Sequence, residues 1–190
     1  MQSMTVTVRG RLQVIRIPGN VETPIAGDLP ADAEVVFDGP NLIVNTGLQV
    51  FSRMLGNNLG ALGSLGTAWS GIVPTSVTPF GAISEIAVGT MVVGSNPAPA
   101  PPLGTDTALT YSPSIPYTTP VLALAYPDPF SIQFQGVVSA GGYNPTYGFI
   151  TEEALYLRNG LLFARRVLSP QVPKTNLYSL QFNHTISFGL

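Results

Sequence analysis

The chain has 190 residues, only 9% of them charged, and a net charge of −2. A single domain of this length buries about 70% of its unfolded surface, so its core needs no metal or disulfide. The absence of cysteine excludes thiolate metal sites, and one lysine with scattered arginines gives no basic stripe for nucleic-acid binding.

From Thr5 to Ile17 the sequence alternates. Val6, Val8, Leu12 and Val14 share one face with Gly10, and Thr7, Arg9, Arg11 and Gln13 share the other. This is long for one strand, and Gly10 reads as a bulge or bend. Residues 1–19 are therefore expected to form an extended N-terminal strand or arm that docks on a neighbour. Val6, Val8, Arg9, Arg11 and Leu12 are its interface candidates. An ordinary edge strand of the same sheet is the alternative. No apolar stretch follows the start, so a signal peptide is not expected. No run approaches the ~18 apolar residues of a membrane span.

Residues 20–190 read as one β-domain. Pro18-Gly19 and 23–31 are loop, and Glu34 to Phe37 is a short strand. A helix is expected over about 41–55, with Leu42, Val44, Leu48, Phe51 and Leu55 on one face. Asn45 or Thr46 would cap it, Gly56-Asn57 would end it, and Arg53 suits its C-terminal dipole. The stretch of about 56–82 is apolar and Gly-rich and holds Leu65 and the single Trp69. It reads either as an insertion that packs on a partner, with those two residues as contacts, or as a loop folded onto its own sheet.

Ile83 to Val93 is a strand. Residues 94–104 hold Pro97, Pro99, Pro101 and Pro102 and should be stiff and extended. Further strands are expected over 121–126, 130–138, 149–157, 161–168 and 177–188, with a hairpin turn at Arg158-Asn159-Gly160. Ser131, Gln133 and Gln135 share a face opposite Phe130, Ile132 and Phe134. Tyr178, Leu180, Phe182 and Ile186 alternate with Ser179, Gln181, Asn183 and Thr185. The expected fold is all-β: an antiparallel β-sandwich or jelly roll with one short helix and an N-terminal extended strand.

Little chemistry emerges. His184 lies in register with Phe182 and Ile186, and a lone histidine without cysteine makes no nucleophile–base pair or zinc site. Glu152 and Glu153 are neighbours in a strand, so they point to opposite faces and cannot flank one substrate bond. Glu153 is expected to be buried against Arg165 and Glu152 to be exposed. Asp28, Asp32 and Asp38 lack a calcium-loop spacing, and Gly60, Gly63 and Gly66 are not followed by the Lys of a phosphate loop. No enzyme activity, cofactor or metal is expected. Tyr143 and Tyr147 sit in a Gly/Asn/Pro loop and could meet a sugar or a protein partner, or pack at the loop base.

The charge is far below the ~25% of ordinary soluble domains, against 45% hydrophobic residues. Such a chain has little to keep a lone surface soluble, and a homo-oligomer is expected. Its alternative is a monomer solubilised by Ser, Thr, Asn and Gln.

A series of short words adds to this: Asn45-Thr46-Gly47, Val88-Gly89-Thr90, Thr105 to Leu109, Glu153-Ala154 with Tyr156, Phe163-Ala164-Arg165, Lys174-Thr175 and Ile186-Ser187-Phe188. In this order they resemble small tailed-bacteriophage virion proteins of the tail-fibre, collar and baseplate type. The segment of about 56–82 and the strand before Glu34 depart from that pattern. The resemblance implies a structural module without catalytic residues, assembled with other virion proteins in the host cytoplasm, and neither membrane nor nucleic acid as partner. Capsid decoration and a carbohydrate-binding receptor module are the alternatives.

Overall fold

The structure, a computed structural model, describes residues 7–45, 47–48, 83–90, 101–110, 117–145, 148–158 and 160–189. Among them are nine strands: β1 (Thr7–Pro18), β2 (Glu34–Ile43), β3 (Ile83–Gly89), β4 (Tyr117–Pro120), β5 (Ala123–Ala125), β6 (Ser131–Val138), β7 (Phe149–Leu157), β8 (Leu162–Pro173) and β9 (Tyr178–Gly189). They form one antiparallel sheet in the order β4-β3-β7-β8-β2-β1-β9-β6-β5.

The sheet curls into a half-barrel. Its two halves are joined by a narrow seam, where only Leu42↔Arg165 and Ile43↔Ala164 pair β2 with β8. Both halves turn apolar side chains to one core: Leu12 and Val14 of β1, Phe182 and Ile186 of β9, Ile86 of β3, Leu155 of β7 and Phe163 of β8. One continuous sheet thus stands where two packed sheets of a sandwich or jelly roll were expected. The run 117–125 serves both edges, since β4 pairs with β3 and β5 pairs with β6. Val121 and Leu122 bridge the two, and their amides donate to Ser84 O at 2.9 Å and Gln135 O at 2.8 Å.

The N-terminal segment is not a free arm. β1 lies inside the sheet, paired with β2 on one side and along its full length with β9 on the other. Its alternation explains this placement. Leu12 and Val14 are fully buried, Val8 packs on the same core, and Arg9 and Arg11 face solvent. Gly10 is not a bulge, because the register shift falls between Val14 and Ile15. Gly10 instead allows close approach: a Cβ there would stand 2.7 Å from Asn41 O on β2. Val6 lies outside the described residues.

The start of the helix expected over about 41–55 is strand instead. Asn41 to Ile43 belong to β2, where ladder pairing with β1 and β8 overrides the helical period. One i to i−4 hydrogen bond follows, from Leu48 N to Val44 O at 3.1 Å. Residues 49–55 of the expected helix, Leu65, Trp69 and the insertion of about 56–82 fall outside the described residues.

Of the other strands, β4 (Tyr117–Pro120) was not expected, and the rest match the sequence expectation in place and differ in extent. β8 runs to Pro173 rather than ending at Leu168. Against β7, its register jumps from Val172 to Val167 while β7 advances from Ile150 to Glu152, so β8 bulges around Ser169-Pro170.

Candidate functional site

Among the described residues, polar side chains gather in four places, three of them sealed. The first is inside the half-barrel. His184 on β9 is 1% exposed and Glu153 on β7 is 0% exposed, and His184 Nε2 lies 2.5 Å from Glu153 Oε1. On its other side, His184 Nδ1 lies 3.0 Å from Asn41 Nδ2 on β2. If Asn41 donates to Nδ1, Nε2 carries the hydrogen that Glu153 accepts. Burial pushes the Glu153 carboxyl above its ordinary value, and the charge and hydrogen bond of His184 act against that rise. Asn41 Oδ1 and Glu153 Oε2 have no hydrogen-bond partner among the described residues. A His–Glu–Asn chain could relay a proton, but this one reaches neither solvent nor a nucleophile. It ties three strands together through the core.

The second place is the opposite face of β7. Glu152 accepts from Arg165 Nε at 2.8 Å and Nη2 at 2.6 Å. Arg165 also donates from Nη1 to Asp106 at 2.7 Å and from Nη2 to the Thr110 hydroxyl at 2.6 Å. Asp106 accepts from Leu103 N at 2.8 Å, and Glu152 accepts from Thr110 N at 3.1 Å. These bonds pin residues 101–110 across the sheet as a strap. Beneath it Val44, Ala87, Leu109, Ala154 and Leu162 form a second apolar cluster. Burial works against the Arg165 charge, and the two carboxylates more than offset it, so its pKa stands above the ordinary value. Glycines fit the strap and its surroundings closely. A Cβ on Gly47 would meet Phe163 O at 2.5 Å, and Asn45 N donates to Gly104 O at 2.7 Å.

This arrangement corrects the sequence expectation for the carboxylates. Strand alternation does send them to opposite faces, but both are fully buried. Arg165 takes Glu152, and Glu153 takes His184. The strap covers the face on which Glu152 was expected to meet water.

The third place is Lys174, 1% exposed. Its ammonium donates to Ala140 O at 3.1 Å and Thr175 O at 2.7 Å and lies 5.9 Å from the Tyr178 ring centroid. Burial lowers its pKa to about 8.

The fourth place is open. On the outer face of β1, β9 and β6 lies a groove of about 300 Å³, lined by Arg11, Gln13, Pro127, Asp128, Ser131, Gln133, Asn183, Thr185 and Ser187. Strand register makes it a grid, with Arg11 beside Thr185 beside Gln133 and Gln13 beside Asn183 beside Gln135. Arg11 is fixed by two bonds of 2.6 Å to Asp38 on β2. Its guanidinium holds the Asp38 carboxyl below the usual range, mainly through that hydrogen bond. Farther along the same face the β1–β2 loop closes over the strands. Val21 N donates to the Ser179 hydroxyl and Ile25 N to Gln181, each at 2.8 Å.

Of the sequence candidates, Arg11 alone lines the groove, and Arg9 stands at the end of the row of Ser187 and Ser131 without lining it. Val8 and Leu12 belong to the core. Tyr143 is half-buried and stacks on Tyr117 at 4.9 Å between centroids, so packing at the loop base is its role. Tyr147 lies outside the described residues. The polar registers of β6 and β9 are legible in the sequence, whereas the placement of β1 beside β9, which completes the grid, is not. Among the described residues no cluster of His, Cys, Asp or Glu could hold a metal ion, and no helix is long and apolar enough to cross a membrane. Comparison with protein-family models, with curated proteins and with solved structures finds no match.

Proposed function

We propose that this protein is a structural component of a bacteriophage virion, a neck, collar, baseplate or fibre-attachment part. It works by assembly with copies of itself and with other virion proteins in the host cytoplasm. Capsid decoration is a variant of the same reading. The observation that carries it is a charge-poor surface that still exposes large apolar side chains: Leu177 at 74%, Tyr126 at 71%, Phe130 at 66% and Leu103 at 59%. Scattered apolar residues are ordinary on a protein surface. With only 9% charge in the chain, their surroundings do little to keep copies apart.

The buried ionisable groups support a module rather than an enzyme, since Glu152, Glu153, Arg165, Lys174 and His184 all serve internal bonds. The words that resemble virion proteins have a structural explanation as well. Asn45, Gly47, Asp106, Leu109, Ala154, Tyr156, Phe163 and Arg165 converge on the strap and the sheet beneath it. They read as the requirements of one local architecture.

Native mass spectrometry or light scattering on purified protein tests the reading. A trimer, pentamer or hexamer is the expected result. A stable monodisperse monomer at micromolar concentration would overturn it.

A further inference from the structure

We propose that the groove on the outer face of β1, β9 and β6 is a binding site for a neutral saccharide. The proposal does not depend on the virion reading.

The first argument is the chemistry of the lining. Sugar hydroxyls both donate and accept, so they are matched by side chains that do the same. The groove offers the amides of Gln13, Gln133 and Asn183 and the hydroxyls of Ser131, Thr185 and Ser187. A sheet face that only meets water is served as well by charged or β-branched residues. Here three adjacent strands place amides and hydroxyls side by side.

The second argument is preorganisation. Ser131 and Ser187 hydroxyls lie 2.8 Å apart, Gln133 donates to Thr185 at 3.0 Å, and Gln135 donates to Gln133 at 2.7 Å. These bonds fix the rotamers and use part of each group's capacity. Hydroxyls and amides keep further donor and acceptor positions for a ligand. Arg11 commits Nε and Nη2 to Asp38. Asp128 commits Oδ1 to Phe130 N at 2.8 Å. A site whose groups are already held loses little freedom on binding.

The third argument is charge. Arg9 and Arg11 are balanced by Asp38 and Asp128, so the groove has no surplus of positive charge for a sialylated, phosphorylated or nucleic-acid ligand. Two exposed aromatic rings also belong to the loop that forms one wall. Tyr126 precedes Pro127 and Phe130 precedes Ser131, and these rings are 71% and 66% exposed. Aromatic faces at the rim of a polar site suit the apolar face of a pyranose ring.

The test uses the full chain, first on an array of neutral, sialylated and phosphorylated oligosaccharides. Titration follows, by NMR or calorimetry, with oligosaccharides of glucose, galactose, mannose and N-acetylglucosamine. Binding to at least one neutral oligosaccharide is expected, with no gain from acidic groups. Gln133→Leu and Asp128→Ala, checked for unchanged melting, should each weaken binding about tenfold, the effect of one or two lost hydrogen bonds. Tyr126→Ala should weaken it without touching the grid. The proposal fails if no neutral oligosaccharide binds at millimolar concentration. It also fails if only acidic glycans bind, or if the groove variants bind as the parent does. Particle mass, read separately, reports on assembly and is independent of all these outcomes.

Discussion

The two faces of β7 bury adjacent carboxylates by different means. Glu152 meets a guanidinium that stays charged at every relevant pH, with Asp106 and Thr110 completing the shell. Glu153 meets the His184 imidazole inside an otherwise apolar core. The outer pair is a fixed ionic rivet that fastens a strap. The inner pair is a hydrogen-bonded chain whose charge depends on where a proton sits. A carboxylate in a core is therefore not one kind of object, because its partner decides whether the fold depends on pH at that point.

The largest expected effect comes from removing what holds the inner chain. β1 lies between β2, which carries Asn41, and β9, which carries His184. Deleting residues 1–19 should abolish the cooperative unfolding transition in a circular-dichroism melt. A folded, soluble product that merely fails to assemble would restore the arm reading and break the account of the inner face.

Breaking the rivet comes next. Arg165→Ala strands Glu152 beneath the strap and should cost about 3–5 kcal/mol in urea unfolding, the range for orphaning one member of a buried pair. A loss under about 1 kcal/mol would show that the strap is not fastened by this ion pair.

A pH titration sharpens the contrast. The folded carboxyl of Glu153 titrates above its ordinary 4.5 because burial disfavours its charge. Its contribution to stability is therefore complete below that value and is lost as pH rises through the folded value. Glu153→Gln should flatten this decline, and Glu152→Gln should leave it in place. Equal slopes for the two variants would mean that the faces do not differ as described.

The smallest effect is expected at the surface. Arg11 and Asp38 are bonded across exposed positions of β1 and β2. Asp38→Asn should cost less than about 1 kcal/mol in the same urea assay. The lowered carboxyl of Asp38 contributes stability above its ordinary 3.8 that is lost as pH falls. A cost as large as that of Arg165→Ala would remove the distinction between buried and surface pairs.

Local pattern disclosed most of the strand content, and in β6, β7 and β9 the element positions too, because alternation in β6 and β9 and turn residues on either side of β7 mark them as strands. It also disclosed that Glu152 and Glu153 part company. It did not disclose their partners, which depend on what crosses each face from elsewhere in the chain. Asp106, 59 positions from Arg165, reaches it only because residues 101–110 lie over β7 and β8. The helix boundary failed for a related reason: Asn41 to Ile43 have helical spacing, but β1 and β8 were waiting with unpaired ladder groups. The groove was half legible, since all three strands showed their polar faces but the first was read as an arm or an edge strand, not as an interior neighbour of β9.

The run 117–125 has a consequence for how copies can meet. Because it supplies both terminal strands, of four and three residues, neither end of the sheet offers a neighbouring chain a long row of amides and carbonyls to extend. Growth by adding strand to strand, the route to amyloid and to donor-strand polymers, has no template there. The strand backbone left without a ladder partner lies instead at the seam, where Glu34 to Asn41 of β2 and Arg166 to Pro173 of β8 part from each other, so backbone-to-backbone contact between copies would be made in the middle of the sheet rather than at its ends.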